Sequence, residues 1–208
     1  MTGGLVKICG LRDPRNILDV IQLKPDLIGL IFYPGSKRYI SNPESLEFLN
    51  DFQDRPLVTG VFVNPEIGEI RNISKIIKLD AIQLHGAETP EFCEALRTDN
   101  HIVIKAFGIE SGFDFSLSDP YRGHADYFLF DTGTPGSGGS GKQFDWDLLD
   151  LYHGDTPYIL SGGISPDTTI LPVSPQMAGV DLNSRFETTP GVKSIDLLKK
   201  FLKKFRNE

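Results

Sequence analysis

Several reactive side chains in this sequence stand at the end of short apolar segments that have the pattern of buried strands. Cys9, His85 and Asp131 each close such a segment, and an apolar run of this length is typical of a strand. Thiol, imidazole and carboxyl groups are side chains that carry general acid–base catalysis. Because the carboxyl ends of parallel strands in a barrel meet at one rim, the sequence predicts an acid–base site at that rim.

The candidate base, Cys9, also has a plainer interpretation as a small residue that fills the interior of the fold. A free thiol has a pKa of about 8.5, so a general-base role requires a positive neighbour or a cationic intermediate. Lys7 shares the Cys9 face of the strand but lies deeper. A buried charge network of Lys7, Lys105 and Asp181, without chemistry, is the alternative. Asp131 is the strand-end carboxylate on the opposite side of the rim, and its position there favours a reactive thiol at Cys9.

Other polar residues near the predicted rim have open interpretations. His85 is either an acid–base group or an ordinary hydrogen-bonded histidine at the mouth. Lys37 and Arg38 follow the second strand; they are surface charges, or the guanidinium binds a carboxylate bidentately. Cys93 lies in a helical pattern and is expected to be an inert packing residue. With two cysteines, a disulfide framework or a cysteine-rich metal site is not expected.

Two glycine-containing stretches are candidates for binding phosphate. The spacing over 136–142 fits a nucleotide-binding loop, but Gln143 stands where such a loop has a hydroxyl residue, so a mobile connection is favoured. Gly162 and Gly163, followed by a predicted short helix over 166–171, form the better cradle, since backbone N–H groups at such a turn bind anions.

The elements that must position these residues alternate regularly. Eight apolar segments predict strands at 5–9, 27–33, 57–63, 81–85, 101–106, 127–131, 157–161 and 179–182. Each is followed by a helical pattern, which implies a parallel sheet covered by helices. The count of eight favours a closed (βα)8 TIM barrel, a single α/β domain over 1–208, with its active site at the carboxyl ends of the strands.

Composition narrows the classes of function. The net charge of −7 argues against a nucleic-acid surface, although a local basic pocket for an anionic substrate is compatible with it. The longest apolar run, 27–33, is far below the roughly 18 residues typical of a membrane span. The expectation is a cytoplasmic protein without membrane or nucleic-acid partners.

Several motifs, in one order from Lys7 to Lys193, resemble the phosphoribosylanthranilate isomerase family of tryptophan biosynthesis. They are Lys7-Ile-Cys9-Gly10, Ser36-Lys-Arg38-Tyr-Ile-Ser41, Gly60-Val-Phe-Val-Asn64, Gln83-Leu-His85-Gly86-x-Glu88, Asp131 followed by Gly138-Gly-Ser-Gly141-Lys-Gln-Phe-Asp-Trp146, Ser161-Gly-Gly163 and Gly179-Val-Asp181. The resemblance implies an Amadori rearrangement of N-(5-phosphoribosyl)anthranilate, without cofactor or metal. The sequence leaves open whether the protein is a monomer or a homodimer.

The resemblance also implies roles for individual residues. Asp131 is the general acid that opens the ribose ring, and Cys9, as thiolate, is the general base that removes the C2 proton. Arg38 binds the anthranilate carboxylate, and His85 lies among the substrate-binding residues. The phosphate ligands, acting largely through backbone groups, are Gly162, Gly163, Asp181 and Asn183. Burial beneath the glycine-rich loop is our hypothesis for how Asp131 keeps its proton, since desolvation raises a carboxyl pKa.

Two departures from the family pattern lie beside the expected phosphate. Asn183-Ser184-Arg185 replaces a run of small residues, and Asp167-Thr168-Thr169 replaces the usual residue-Asn-Val. Arg185 either adds a charged contact or points into solvent. Two rival interpretations are another phosphosugar aldose–ketose isomerase, which resembles a design with two strand-end aspartates, and a non-catalytic phosphosugar-binding barrel.

Overall fold

The computed structural model describes residues 4–133 and 144–206, so the predicted mobile connection over 136–143 lies outside the described residues. Eight parallel strands close into a barrel in the order β1 to β8. Their bounds are β1 Leu5–Leu11, β2 Leu27–Ile31, β3 Leu57–Phe62, β4 Ala81–Leu84, β5 Ile102–Ile109, β6 Tyr127–Thr132, β7 Tyr158–Leu160 and β8 Met177–Leu182. The predicted barrel is therefore confirmed.

Helical segments of two kinds cover this barrel. The α-helices are α1 Pro14–Ile21, α2 Ile67–Ile76, α3 Pro90–Thr98 and α4 Ile195–Phe205, and the 3-10 helices are Pro43–Asp51, Phe115–Tyr121, Trp146–Leu151 and Ser184–Phe186. Side-chain caps fix three of the α-helix starts: Asp13, Thr89 and Ser194 each accept a hydrogen bond from a backbone N–H of the first turn. No helix in the described part of the chain is long and apolar enough to cross a membrane.

The short helix predicted over 166–171 is wrong, because these residues form a turn followed by a segment without regular secondary structure. The Thr168 N–H donates to the Ser165 carbonyl at 3.0 Å, and Thr168 Oγ1 accepts from the Ser165 N–H at 2.9 Å, so both bonds close one local turn. The β-branched Thr169 and Ile170 then lead to Pro172, which disfavours the helical conformation for the residue before it. The β7–β8 connection consequently contains no helix.

The barrel interior is filled in layers. Its middle is an apolar cluster that includes Leu27, Ala81, Ile104, Ala106, Leu129 and Ile159. Above it, Cys9 packs with Ile31 and Val61 at the level of the mouth. Leu129 and Asp131 alternate with outward-facing Phe128 and Phe130, as the strand pattern predicts.

At the opposite end of the barrel, three aspartates form the same two-bond clasp. Asp26, directly before β2, accepts a hydrogen bond from the Val6 N–H through Oδ2 at 2.8 Å, and its own N–H donates to the Val6 carbonyl. Two further clasps repeat this geometry, Asp80 with Val58 and Asp126 with Val103. Each clasp joins the beginning of an odd-numbered strand to the strand that follows it.

A feature that the periodicity did not predict follows β8. The short antiparallel strands β9 (Glu187–Thr189) and β10 (Val192–Lys193) form a hairpin, with Lys193 opposite Glu187. Gly191, at φ +90°, makes the turn. Glu187 and the tip of this hairpin line the mouth of the barrel.

Candidate active site

All eight residues predicted to form the site line one cavity of about 710 Å³ at the carboxyl ends of the strands. They are Cys9, Arg38, His85, Asp131, Gly162, Gly163, Asp181 and Asn183. Ile31, Val61 and Tyr33 add an apolar wall beside Cys9. Among the described residues, no group of His, Cys, Asp and Glu side chains has the arrangement of a metal site.

Cys9 lies in β1 just below the mouth and is 3% exposed. The neighbouring strand makes room for its thiol, since a methyl group at Gly29 would lie 2.6 Å from the Cys9 Sγ. Burial raises the pKa of the Cys9 thiol, and the positive charge of Lys7 opposes that rise. Cys93 is remote from the cavity, and desolvation raises its pKa to about 11, as expected of a packing residue.

Beneath Cys9, Lys7 is fully buried and donates a hydrogen bond from Nζ to Asp181 Oδ1 at 3.0 Å. The other carboxylate oxygen of Asp181 lies 3.4 Å from the Ser161 hydroxyl, which donates to it. The Asp181 side chain therefore binds Lys7 and Ser161. The alternative network of three charges is wrong for Lys105, because Lys105 binds Glu88 and backbone carbonyls instead.

Asp131 stands at the carboxyl end of β6 and is 7% exposed. Its Oδ1 accepts a hydrogen bond from the Thr132 N–H at 2.8 Å, and its Oδ2 lies 3.8 Å from His85 Nε2. Gln83 contacts the other ring nitrogen of His85 at 3.0 Å. Desolvation raises the pKa of Asp131 and lowers the pKa of His85, so burial favours the pair with both groups uncharged.

The loop after β7 places two consecutive glycines in the left-handed region, Gly162 at φ +79° and Gly163 at φ +78°. Within the residues described, the backbone N–H groups of this pair donate no hydrogen bond, so both are available to an anion. The predicted contribution of a helix after them is absent. A methyl group at Gly162 would lie 2.9 Å from Asp131 Oδ1, so the glycine also allows the acid to approach.

Arg38 crosses the mouth above Gly10 and is 7% exposed. Its Nε and Nη2 donate to Glu187 Oε1 and Oε2 at 2.8 and 2.7 Å. Lys193 Nζ donates both to Glu187 Oε1 and to Asn183 Oδ1, each at 2.8 Å. Burial lowers the pKa of Lys193 to about 8. Arg38, Glu187, Lys193 and Asn183 thus form one hydrogen-bonded cluster at the mouth.

Three residues in or beside the cavity were not predicted from the sequence: Gln83, Glu187 and Lys193. Gln83 belongs to one of the family motifs and Lys193 is the last residue that the resemblance covers, but neither was assigned a role. Glu187 lies in a part of the sequence that has no strand or helix pattern. The usable signal was indirect: an arginine predicted at the rim requires a carboxylate when it is buried.

Comparison with known proteins identifies the family. The family model for N-(5'-phosphoribosyl)anthranilate (PRA) isomerase matches residues 6–204. The chain belongs to the PRA isomerase family. A PRA isomerase from Parabacteroides distasonis is 45% identical over 202 residues, which are 95% of this chain and 91% of that protein. This family catalyses an aldose–ketose isomerisation in tryptophan biosynthesis, and the chain is an isomerase of this type.

Solved structures of PRA isomerases have the same barrel. One, of monomers of the dimeric enzyme from Thermotoga maritima, is 31% identical with a TM-score of 0.83 and covers 99% of this chain and 100% of its own. Another, of a PRA isomerase in complex with reduced 1-(o-carboxyphenylamino)-1-deoxyribulose 5-phosphate, is 31% identical with a TM-score of 0.82 and the same coverage.

Proposed function

We propose that this isomerase uses Asp131 as general acid and Cys9 as general base, on opposite walls of the cavity. Asp131 protonates the ring oxygen of N-(5'-phosphoribosyl)anthranilate while the nitrogen lone pair forms the C1=N bond, so that the C1–O bond breaks. Cys9 as thiolate removes the C2 proton of this iminium and yields an enolamine. Loss of the enol O–H proton and protonation of C1 give the ketone. The observation that carries this proposal is that both buried groups line one cavity.

The protonation states support these roles. A carboxyl group whose pKa is raised by burial keeps its proton closer to neutral pH, which a general acid requires. Burial raises the pKa of Cys9 as well, so the thiol form dominates in the empty cavity. The iminium of the opened substrate supplies positive charge beside the sulfur, which lowers the thiol pKa when the base is needed.

The remaining contacts of the substrate follow from the chemistry of the walls. Its phosphate binds the free N–H groups of Gly162 and Gly163, together with backbone groups at Asp181 and Asn183. Its carboxylate binds Arg38, and its aromatic ring packs on Ile31 and Val61. His85 contacts the opened sugar beside Asp131. The product analogue bound by a relative of the same fold supports a ligand with these three parts.

The deciding experiment follows the loss of fluorescence of freshly prepared substrate. We expect Cys9→Ser and Asp131→Asn each to lower kcat by at least about 10², the lower range for removing a general acid or base. Cys93→Ser and the exposed Asp119→Asn are the matched controls and should keep normal turnover. Full activity of either active-site variant would exclude the role assigned to that residue.

Three wider aspects belong to the same proposal. The chain acts as one catalytic domain over 1–208, it works in the cytoplasm, and it forms a homodimer. The dimeric state of the Thermotoga maritima enzyme supports the last of these. Sedimentation equilibrium at micromolar protein tests it, and a mass equal to the 23.1 kDa of one chain would contradict it.

A further inference from the structure

The Arg38 guanidinium has one of its two bidentate edges occupied. A guanidinium presents five N–H donors in a planar fork, so it can bind two carboxylates on different edges. The edge formed by Nε and Nη2 is bound to both carboxylate oxygens of Glu187. In the part of the chain that the structure describes, Nη1 makes no hydrogen bond. The second edge, formed by Nη1 and Nη2, is available to a ligand.

Glu187 is itself held from three sides. Besides Arg38, its Oε1 accepts hydrogen bonds from the Gly191 N–H at 3.1 Å and from Lys193 Nζ at 2.8 Å. Lys193 is anchored in turn, because the Asn16 side chain exchanges two hydrogen bonds with its backbone. Hydrogen bonds from Arg38 and Lys193 outweigh the effect of burial and lower the pKa of Glu187. The carboxylate is therefore a fixed, charged support.

The charges in this cluster do not cancel. Arg38 and Lys193 carry positive charge, whereas Glu187 supplies one negative charge between them. Arg38 and Glu187 line the cavity, whereas Lys193 is buried behind them. The cluster as a whole therefore keeps an excess of positive charge next to the cavity, which suits an anionic group on the ligand.

We propose that Glu187 is the positioning residue that orients Arg38, so that the free edge of its guanidinium binds the substrate carboxylate. The inference rests on the proposed role of Arg38. An arginine side chain has many rotamers, and holding it in the bound conformation before the ligand arrives removes that ordering from the cost of binding. Glu187 then acts on affinity for the carboxylate and not on the chemical step.

The experiment compares two probes that differ in one group. The first is the reduced aminoketose 5-phosphate with a 2-carboxyphenyl group, and the second is its phenyl counterpart without the carboxylate. We expect Glu187→Gln to raise the Kd of the first probe about 10-fold, the value of one charge-assisted hydrogen bond, and that of the second less than about 2-fold. Asp99→Asn removes a bidentate aspartate from surface Arg71 and is the matched control that should change neither.

A double-variant cycle separates this role from a structural one. In an Arg38→Ala background, Glu187→Gln should cause no further loss, since Glu187 acts through Arg38. Equal weakening of both probes by Glu187→Gln, or the same loss with and without Arg38, would overturn the proposal. If Arg38→Ala changes the Kd of both probes equally, the proposed role of Arg38 is wrong, and the role of Glu187 that rests on it is wrong as well.

A measurement on the unaltered protein covers the case in which Glu187→Gln does not fold. In 15N NMR spectra of the guanidinium, with the Arg38 signals assigned by Arg38→Lys, adding the carboxyphenyl probe should shift the Nη signals and leave the Nε signal in place. A shift of Nε to the position of a solvated arginine would mean that the ligand displaces Glu187, which contradicts the proposed role.

Discussion

Replacing Gly162 with alanine separates backbone strain from displacement of the catalytic acid. Gly162 and Gly123 have the same φ of +79°, at which a residue with a Cβ is destabilised by roughly 1–2 kcal/mol. A methyl group at Gly123 meets nothing within 4 Å. A methyl group at Gly162 would lie 2.3 Å from Thr132 Oγ1 and 2.7 Å from the Thr132 N, about 1 Å short of ordinary contact.

The overlap predicts two results beyond strain. Gly162→Ala should be less stable than Gly123→Ala by about 1–3 kcal/mol in urea unfolding, the usual cost of overpacking. Because Thr132 hydrogen-bonds Asp131, a shift of about 1 Å should also lower kcat by about 10²-fold, whereas Gly123→Ala should turn over normally. Equal kcat in the two variants would refute the reasoning that Gly162 permits the working position of Asp131.

Two further predictions concern stability. Burial raises the pKa of Asp131 in the folded state. The protonated side chain therefore contributes its full stabilisation below the unfolded pKa of about 3.9, and this stabilisation is lost as the pH rises through the folded pKa. The loss is about 1.4 kcal/mol for each unit by which the two pKa values differ. Asp131→Asn should therefore unfold at higher urea than the parent at pH 8 and lose that advantage near pH 4; an equal difference at both pH values would contradict this. Asp26→Ala leaves the Val6 N–H without its side-chain acceptor and should lower the free energy of unfolding by about 1–3 kcal/mol. The exposed control Asp19→Ala should stay within about 0.5 kcal/mol of the parent, and a similar change in both would show that the clasp contributes little.

The sequence predicted strands well because an interior strand has a local signature. β5 shows the largest difference in bounds, since it was expected to end at Ala106 and extends to Ile109. Its last residues are held by pairing with the end of β6, where Gly108 faces Asp131. That pairing joins distant parts of the chain and leaves no periodic trace. The wrong helix over 166–171 has the opposite cause, because Ser165-Pro166 is a local helix-start signal and the β-branched residues after it disfavour the helix.

The candidate site was predictable in its members and not in its connections. Strand ends named Cys9, His85 and Asp131, because position along a strand is local information. The partner of Arg38, Glu187, was not predictable, since the strands of the β9–β10 hairpin that carries it are very short. The ion pair between Glu187 and Lys193 likewise depends on the folded hairpin. The protonation of Asp131 likewise depends on burial among residues distant in sequence, such as His85 and Gly162.

The four consecutive strand pairs of the barrel, which form its four quarters, differ in how their first residues are held together. Three strand pairs, β1–β2, β3–β4 and β5–β6, are locked by a carboxylate, whereas in the fourth the Tyr158 N–H binds the Gln176 carbonyl and no helix covers the connection. Local opening should be easiest there, so backbone amides of this quarter should exchange with D₂O first. Phosphate binds at the same quarter in the proposed function. A bound ligand would then stabilise the β7–β8 pair, as the aspartate side chains stabilise the other three pairs. Amide hydrogen exchange should consequently become slower on ligand binding, mainly in β7 and β8.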